Sequence, residues 1–325
     1  GGGRAVAWLV AAMLLLGHVL ARISKPAKIN WLMSLVPDGR RGVFSANKEI
    51  VSLLIGMAFT AAMSRIIDGY EAVGNLNKAY IFIGVTILLL TLLHTLSLIF
   101  AKEKTVPEDD KPEKHSVLGM LSDKNICAVL AIYVLWGVVS SISRPFYGSY
   151  EIDELGFSMT FASLLVILGS FARMLFSRPM GKLGDKKGFL TMLASGLLLE
   201  TASLVTAAFS TPQNGRILFT ASMILHYTAM AGINSGLVNS IFDYAKPAAR
   251  TGAIALADFL SGVFGFGVTA AVSPAVNAIQ ESGNTVLGHS IFAQQLLSAV
   301  AAVCCMGMIV FILIMKKKLN RPVIR

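Results

Sequence analysis

The chain has 325 residues, of which 55% are hydrophobic and only 14% are charged, and its mean hydropathy is +0.69. A soluble protein with so few charged residues would lack the polar side chains needed to cover its surface. The formal net charge of +10 does not indicate nucleic-acid binding, because most of the basic residues are concentrated in particular loops between apolar segments.

Apolar segments long enough to cross a bilayer as helices, which takes about 20 residues, follow one another along the chain. In chain order the predicted spans lie near 5–35, 43–67, 79–101, 126–148, 158–180, 188–209, 217–244, 252–276 and 289–315. Membrane strands are not favoured, because the apolar runs are too long for barrel strands and open sheet edges are not tolerated in lipid. The sequence therefore predicts an all-α membrane protein.

The first and seventh predicted helices belong to an internal repeat. Residues 13–42 align without a gap with residues 223–252, and both segments end in Pro-x-x-Arg-x-Gly, with Arg40 and Arg250 in equivalent positions. A repeat of this length predicts two structural halves, which in membrane proteins are typical of transporters.

A polar interval at 102–125, rich in Pro, Glu, Asp and Lys, separates the third predicted helix from the fourth. We interpret it as a cytoplasmic linker between a partial first half at 1–101 and a six-helix second half at 126–325. Basic residues are concentrated in alternate loops and in the C-terminal tail. This pattern predicts a multi-pass protein of the cytoplasmic membrane whose C-terminus is in the cytoplasm.

The turn after the fifth predicted helix contains Gly181-x-Leu183-x-Asp185-Lys186-x-Gly188. It resembles the Gly-x-Leu-x-Asp-Arg-x-Gly signature of the major facilitator superfamily, which joins the second and third helices of a six-helix half. The resemblance covers essentially the whole chain, from the family's fourth helix to its twelfth. It implies a major facilitator (MFS) type fold with nine of the usual twelve transmembrane helices in two pseudo-symmetric halves, the first three helices being absent.

The signature also predicts a contact. Asp185 lies in a cationic turn, where we expect it to pair with Arg250 or to accept hydrogen bonds from the N–H groups that open helix 43–67. The alternative is that Asp185 only solvates a loop. Gly188 permits a turn with positive φ. The resemblance implies a gating latch that breaks as the halves rock. The candidate gating residues are Gly181, Asp185, Lys186, Gly188, Arg40 and Arg250.

The resemblance further implies that helices 5–35, 126–148 and 217–244 line a central cavity. Helical spacing then selects a polar face on each of them. The candidate substrate-binding residues are His18, Arg22, Lys25, Tyr133, Trp136, Ser140, Arg144, Thr228, Ser235 and Asn239.

Charge placement suggests the substrate. Arg22 lies roughly 22 Å before Pro37 at about 1.5 Å per residue, a depth at which a charge needs a counter-charge or a wet cavity; the alternative role is a structural ion pair. Acids within the spans are few, since Glu200 falls on a helix that the resemblance places at the periphery and Asp258 is close to a cytoplasmic helix end. We therefore expect a cation-rich cavity, which favours an organic anion. His18 and His226 lie in the middle of helices, where they either relay protons or serve in packing.

The predicted function is secondary active transport of a small solute by alternating access, coupled to protons, in a monomer without cofactor, metal or nucleic acid. One alternative is a drug or metabolite exporter, although 51–66 lacks the glycine–proline motif of drug/proton antiporters. Another is a transporter-like membrane sensor. An enzyme is not indicated, because the sequence shows no nucleophile elbow, metal-ligand spacing or paired-carboxylate motif.

Overall fold

The computed structural model describes residues 2–37, 39–100, 121–286 and 288–319. Over these ranges the chain forms nine long helices: α1 Gly2–Ser34, α2 Arg41–Ala72, α3 Leu76–Ile99, α4 Lys124–Ser143, α5 Met159–Lys187, α6 Phe189–Ala208, α7 Gly215–Tyr244, α8 Arg250–Glu281 and α9 Ala293–Lys318. Irregular helical turns continue α4 to Glu154. Two short strands, Thr285–Val286 and His289–Ser290, form an antiparallel pair between α8 and α9. The all-α prediction is confirmed.

Eight helices, α2 to α9, are long and apolar enough to cross a membrane, counted over the residues that the structure describes. Lys124–Glu154, which combines α4 with the irregular turns that follow it, counts as one of these spans. The chain is therefore an integral, multi-pass membrane protein.

The described residues divide into two compact units. The larger contains residues of Gly1–Ala46 and Pro107–Arg325, and the smaller contains residues of Asn47–Val106. The division of the chain into halves at 1–101 and 126–325 therefore stays a prediction. Most of the expected linker at 102–125 lies outside the described residues.

In the larger unit, α6 and α7 are held together by small residues. Gly196 of α6 faces Ala229 and Ile233 of α7, and Gly236 of α7 faces Leu193 of α6, so that a Cβ at either glycine would lie 3.0–3.2 Å from its neighbour. Glycines permit such close backbone approach, which is how helices associate in lipid without a hydrophobic driving force between them. This close approach determines which faces of α6 and α7 meet.

In the smaller unit, α3 satisfies its own polar side chains. Thr86, Thr91 and Thr95 each donate a hydrogen bond to the carbonyl four residues earlier, at 2.8, 2.8 and 2.9 Å. The large apolar side chains of α3, Leu88 and Leu93 among them, are exposed. A helix with no unpaired hydroxyl at these threonines and an apolar surface is suited to contact with lipid.

The end of α5 differs from the prediction. This helix was expected to end near 180, but it continues to Lys187, and only Gly188, with φ +89°, separates it from α6. The signature residues from Gly181 to Lys187 are therefore helical, not a loop. Continuation is favoured by packing, since Gly184 lies directly against the ring of Phe189 and has no room for a side chain.

Candidate functional site

A polar cavity of about 550 Å³ lies in the larger unit, among α1, α4, α7 and α8. Its volume is within the range of roughly 300–1,000 Å³ that is usual for small-molecule sites. The residues that line it are Lys25, Tyr133, Trp136, Gly137, Ser140, Ser141, Asn234, Leu237, Asp258, Ser261, Gly262, Gly265, Phe266 and Thr269.

Close packing of α4 against α8 shapes one wall. The backbone of Gly137 approaches Ser261 so closely that a Cβ would overlap the Ser261 side chain. Further along the same two helices, the Thr269 hydroxyl donates to the Ser141 carbonyl at 3.1 Å. Tyr133, Gly137 and Ser140 lie on one face of α4 because they are three to four residues apart.

The only charged residues among those lining the cavity, within the described part of the chain, are Lys25 and Asp258. The Lys25 Nζ lies 2.7 Å from Asp258 Oδ2, and the Tyr133 hydroxyl donates to Asp258 Oδ1, also at 2.7 Å. We call Lys25, Tyr133 and Asp258 the cavity cluster. Its members come from three helices, α1, α4 and α8, and each oxygen of the carboxylate has its own partner.

A second group of charges is enclosed between α6, α7 and the end of α4. The Glu200 side chain, only 2% exposed, accepts from Arg144 Nη2 at 2.6 Å on Oε1 and lies 2.8 Å from His226 Nδ1 on Oε2. Arg144 Nη2 also donates to the Ser203 hydroxyl at 3.0 Å, and its guanidinium lies over the Tyr147 ring. We call Arg144, Glu200 and His226 the buried cluster. The cluster gives both oxygens of the Glu200 carboxylate a partner, which offsets the large free-energy cost of burying a charge inside a membrane protein.

The structure brings four of the predicted substrate-binding residues together. Lys25, Tyr133, Trp136 and Ser140 all line the cavity. Arg144 does not, because Glu200 holds it in the buried cluster. Glu200, on the helix that the resemblance places at the periphery, has its side chain enclosed between helices.

The predicted polar face of α7 does not line this cavity. Thr228 donates to the Ile224 carbonyl of its own helix, and Asn239 donates to Ser235 and to Ser45. None of Thr228, Ser235 and Asn239 lines the cavity. The close contact of Gly236 with α6 sets the rotation of α7, and Asn234 and Leu237 are the residues that line the cavity instead.

The side chains of His18 and Arg22 lie outside the described residues, although the backbone of both belongs to α1. The proposed pathway role of Arg22 and the proposed relay role of His18 therefore stay predictions.

The sequence reasoning missed Asp258, which it placed close to a cytoplasmic helix end. The signal was present, because Asp258, Ser261, Gly265 and Thr269 are spaced by three or four residues and form a small and polar stripe on α8. All four line the cavity. The expected excess of cations in the cavity is therefore not found among the lining residues, since Asp258 balances the charge of Lys25.

The predicted contact of Asp185 is confirmed. Asp185 Oδ1 accepts from the Gly42 N–H at 2.7 Å, and Oδ2 accepts from the Val43 N–H at 2.9 Å. These N–H groups are in the first turn of α2, where unpaired donors and the helix dipole favour an anion. Gly42 and Gly181 make backbone contact, and a Cβ on either would overlap the other residue. Two glycines therefore allow the carboxylate to reach the helix end.

The other candidate gating residues have different surroundings. Arg250 is buried and donates to the carbonyls of Ala245 and Phe242 at 3.2 and 3.1 Å, at the end of α7. Arg40 and Lys186 are exposed. The neighbouring Arg41, which the repeat did not single out, is buried, and its guanidinium lies 5.3 Å from the centre of the Phe242 ring.

A polar cavity between apolar membrane helices, with an ion pair in its wall, is the arrangement of a membrane transport protein. The model of the MFS_1 like family matches residues 5–285 of the chain, and the chain belongs to this family. A comparison with curated proteins gives no match. The expected MFS-type fold is thereby confirmed. Membership indicates a transporter rather than an enzyme, with a small-molecule substrate and the lipid bilayer as its surroundings.

Proposed function

We propose that this protein is a secondary active transporter that binds a small polar solute in the cavity and moves it across the cytoplasmic membrane by alternating access. The observation that carries the proposal is the cavity cluster. An accessible ion pair within a membrane protein is costly to maintain unless it lines a wet pathway, and such residues mark substrate routes. The surrounding serine, asparagine and threonine side chains supply neutral hydrogen-bonding groups to the same space.

The charge balance of the cavity bears on the expected organic anion. An anion bound to Lys25 competes with Asp258 for the same ammonium group, and it leaves the carboxylate with only the Tyr133 hydroxyl. Uncompensated charge in a partly desolvated site weakens binding. A solute without net charge avoids this cost and therefore fits the cavity better than a simple anion.

Alternating access is supported by the contact between Asp185 and α2. We place this contact on the cytoplasmic face, because the basic residues Lys182, Lys186 and Lys187 lie around it and basic loops favour the cytoplasm. The same rule places the C-terminus in the cytoplasm. Opening of the pathway toward this face would require both hydrogen bonds from the α2 backbone to break, so Asp185 acts as a latch.

Protons are the proposed coupling ion, with His226 as their carrier and Glu200 as its partner. Histidine titrates near neutrality, and adjoining Glu and His side chains within membranes mark proton relays. Arg144, which directly follows α4, faces the same carboxylate, and the Tyr227 ring contacts the imidazole edge to face. Protonation of His226 would give Glu200 a second cation and so weaken its bonds to Arg144, which links proton uptake to the end of α4.

Uptake by proteoliposomes of the full-length protein tests this function. We expect one polar solute from a broad panel to accumulate when a pH gradient is imposed, and a protonophore to abolish accumulation but not exchange. His226→Gln, which keeps the Arg144–Glu200 pair, should abolish accumulation while retaining some exchange, and Asp153→Asn, at an exposed acid, serves as the control. Binding of a solute with neither uptake nor exchange would contradict transport and would favour the sensor.

A further inference from the structure

We propose that the cavity takes a zwitterionic solute, whose carboxylate binds Lys25 and whose ammonium group binds Asp258. This assignment rests on the proposed function and names its substrate class. It begins from the hydrogen-bonding capacity of the two residues. A lysine ammonium has three donors and a carboxylate has about four acceptor positions, whereas each group makes a single bond to the other. Both therefore have capacity left for a solute.

Both members of the ion pair are accessible from the cavity, although to different extents. The Lys25 side chain is 39% exposed and the Asp258 side chain 15% exposed, and both line the cavity. The Tyr133 hydroxyl holds Asp258 Oδ1. This hydrogen bond from Tyr133 of α4 therefore keeps the Asp258 carboxylate of α8 in position when Lys25 of α1 moves to another anion.

The classes of solute differ in whether they supply a counter-charge for Lys25, for Asp258 or for both. A monocarboxylate satisfies Lys25 but leaves Asp258 without a cation, and a monoamine does the reverse. A neutral polyol leaves the pair intact and gains nothing from either charge. A zwitterion alone supplies both counter-charges, so the pair can separate without any loss of ion pairing.

The remaining wall fits the same class. Trp136 and Phe266 contribute aromatic surface to the same cavity, and aromatic faces attract ammonium groups. Ser140, Asn234 and Thr269 are neutral and able to donate or accept hydrogen bonds. A solute that separates Lys25 from Asp258 also removes a direct bond between α1 and α8, so binding is linked to the relative freedom of these helices.

Binding to the full-length protein in lipid nanodiscs tests the assignment. The probes are the proteinogenic amino acids, β-alanine, 4-aminobutyrate and glycine betaine, each compared with the monocarboxylate and the amine that lack one charge, and with neutral polyols. We expect one or more zwitterions to bind about tenfold or more tightly than either matched analogue. Failure of every zwitterion to bind would overturn the proposal.

A change of solute preference in variants of Lys25 and Asp258 tests the assignment more strictly than binding to the parent protein does. Asp258→Asn should shift preference from the zwitterion to its monocarboxylate, because Lys25 is then unopposed, and Lys25→Met should shift preference to the amine. Preferences are ratios within one variant, so partial unfolding does not affect them. The exchange Lys25→Asp with Asp258→Lys restores the pair and should restore zwitterion binding. The matched controls Lys78→Met and Asp153→Asn, at exposed positions, should bind as the parent does.

The outcomes distinguish the two proposals. Reversed preferences without uptake into proteoliposomes would support the zwitterion site and refute transport. Uptake of a polyol or a simple anion that Lys25→Met and Asp258→Asn leave unchanged would overturn the zwitterion site and leave the transporter in place.

Discussion

The cavity cluster and the buried cluster each contain a carboxylate paired with a basic side chain, but their surroundings differ. Each joins a carboxylate on one helix to a cation on another. The Lys25 and Asp258 side chains are 39% and 15% exposed, whereas those of Arg144 and Glu200 are 15% and 2% exposed. An accessible pair can exchange its partner for a solute. An enclosed pair can exchange little more than a proton, and breaking it leaves an uncompensated buried charge.

Helix α4 and its continuation contribute to both clusters. Tyr133 belongs to the first and Arg144 to the second, about 16 Å further along at roughly 1.5 Å per residue. Arg144 lies where regular helix gives way to irregular turns. We expect changes at one cluster to reach the other through this element, and the following variants separate local effects from shared ones.

The largest effect is expected on stability, from the loss of charge at Glu200. Glu200→Gln should destabilise the fold by about 3–5 kcal/mol, because Arg144 is left buried without its counter-charge. Thermal unfolding in detergent measures the change, and the double variant Arg144→Met with Glu200→Gln should recover most of the loss. An unchanged unfolding temperature for the single variant would show that the two clusters do not differ as described.

At the cavity cluster we expect a large effect on transport and a small effect on stability. Asp258→Asn should reduce transport about tenfold or more, because the solute loses its charged partner, while stability falls less than in Glu200→Gln, because the Lys25 side chain left behind is 39% exposed and can be solvated. Uptake and thermal unfolding measured on the same preparation check both parts. A loss of stability as large as that of Glu200→Gln would remove the distinction between the clusters.

Two tyrosines, one at each cluster, allow the clusters to be compared through the loss of a single hydroxyl group. Tyr133 donates to Asp258, whereas the Tyr147 hydroxyl pairs with Ser298 at 2.7 Å next to the buried cluster. Tyr147→Phe should cost about 0.5–1.5 kcal/mol of stability, the usual net value of a hydrogen bond. Tyr133→Phe should mainly raise the solute concentration needed for half-maximal uptake. Equal effects of both variants on uptake would argue against separate roles.

A smaller effect on stability than at Glu200 is expected at the latch, which lies apart from both clusters. Asp185→Asn keeps one acceptor for the α2 backbone but loses the second acceptor and the interaction of a full charge with the helix N-terminus, of which the charge interaction is worth about 0.3–1 kcal/mol. The rate of transport should change while solute preference stays the same. The matched control is Asp153→Asn at an exposed position. A changed solute preference in Asp185→Asn would show that the latch and the cavity are not separate.

Individual helices could be predicted well because their signals are local. Long apolar runs defined the spans, and the spacing of Tyr133, Trp136 and Ser140 defined one face of α4 before any packing was known. The contact of Asp185 with α2 was also predictable, because a helix start with unpaired N–H groups attracts an anion whatever the rest of the fold does. These predictions depend on neighbours in the sequence or on a short motif.

The partners of the charges could not be predicted in this way. Lys25 and Asp258 are 233 residues apart, and Arg144 and Glu200 are 56 apart, so each pairing depends on how whole helices pack. The same limit applies to α7, whose polar residues point in more than one direction. Its rotation follows from the close contact of its glycines with α6, and it brings Asn234 to the cavity while Asn239 reaches Ser45. Helical periodicity defines the faces of a helix, but only the sum of its contacts with neighbouring helices decides which face meets the cavity.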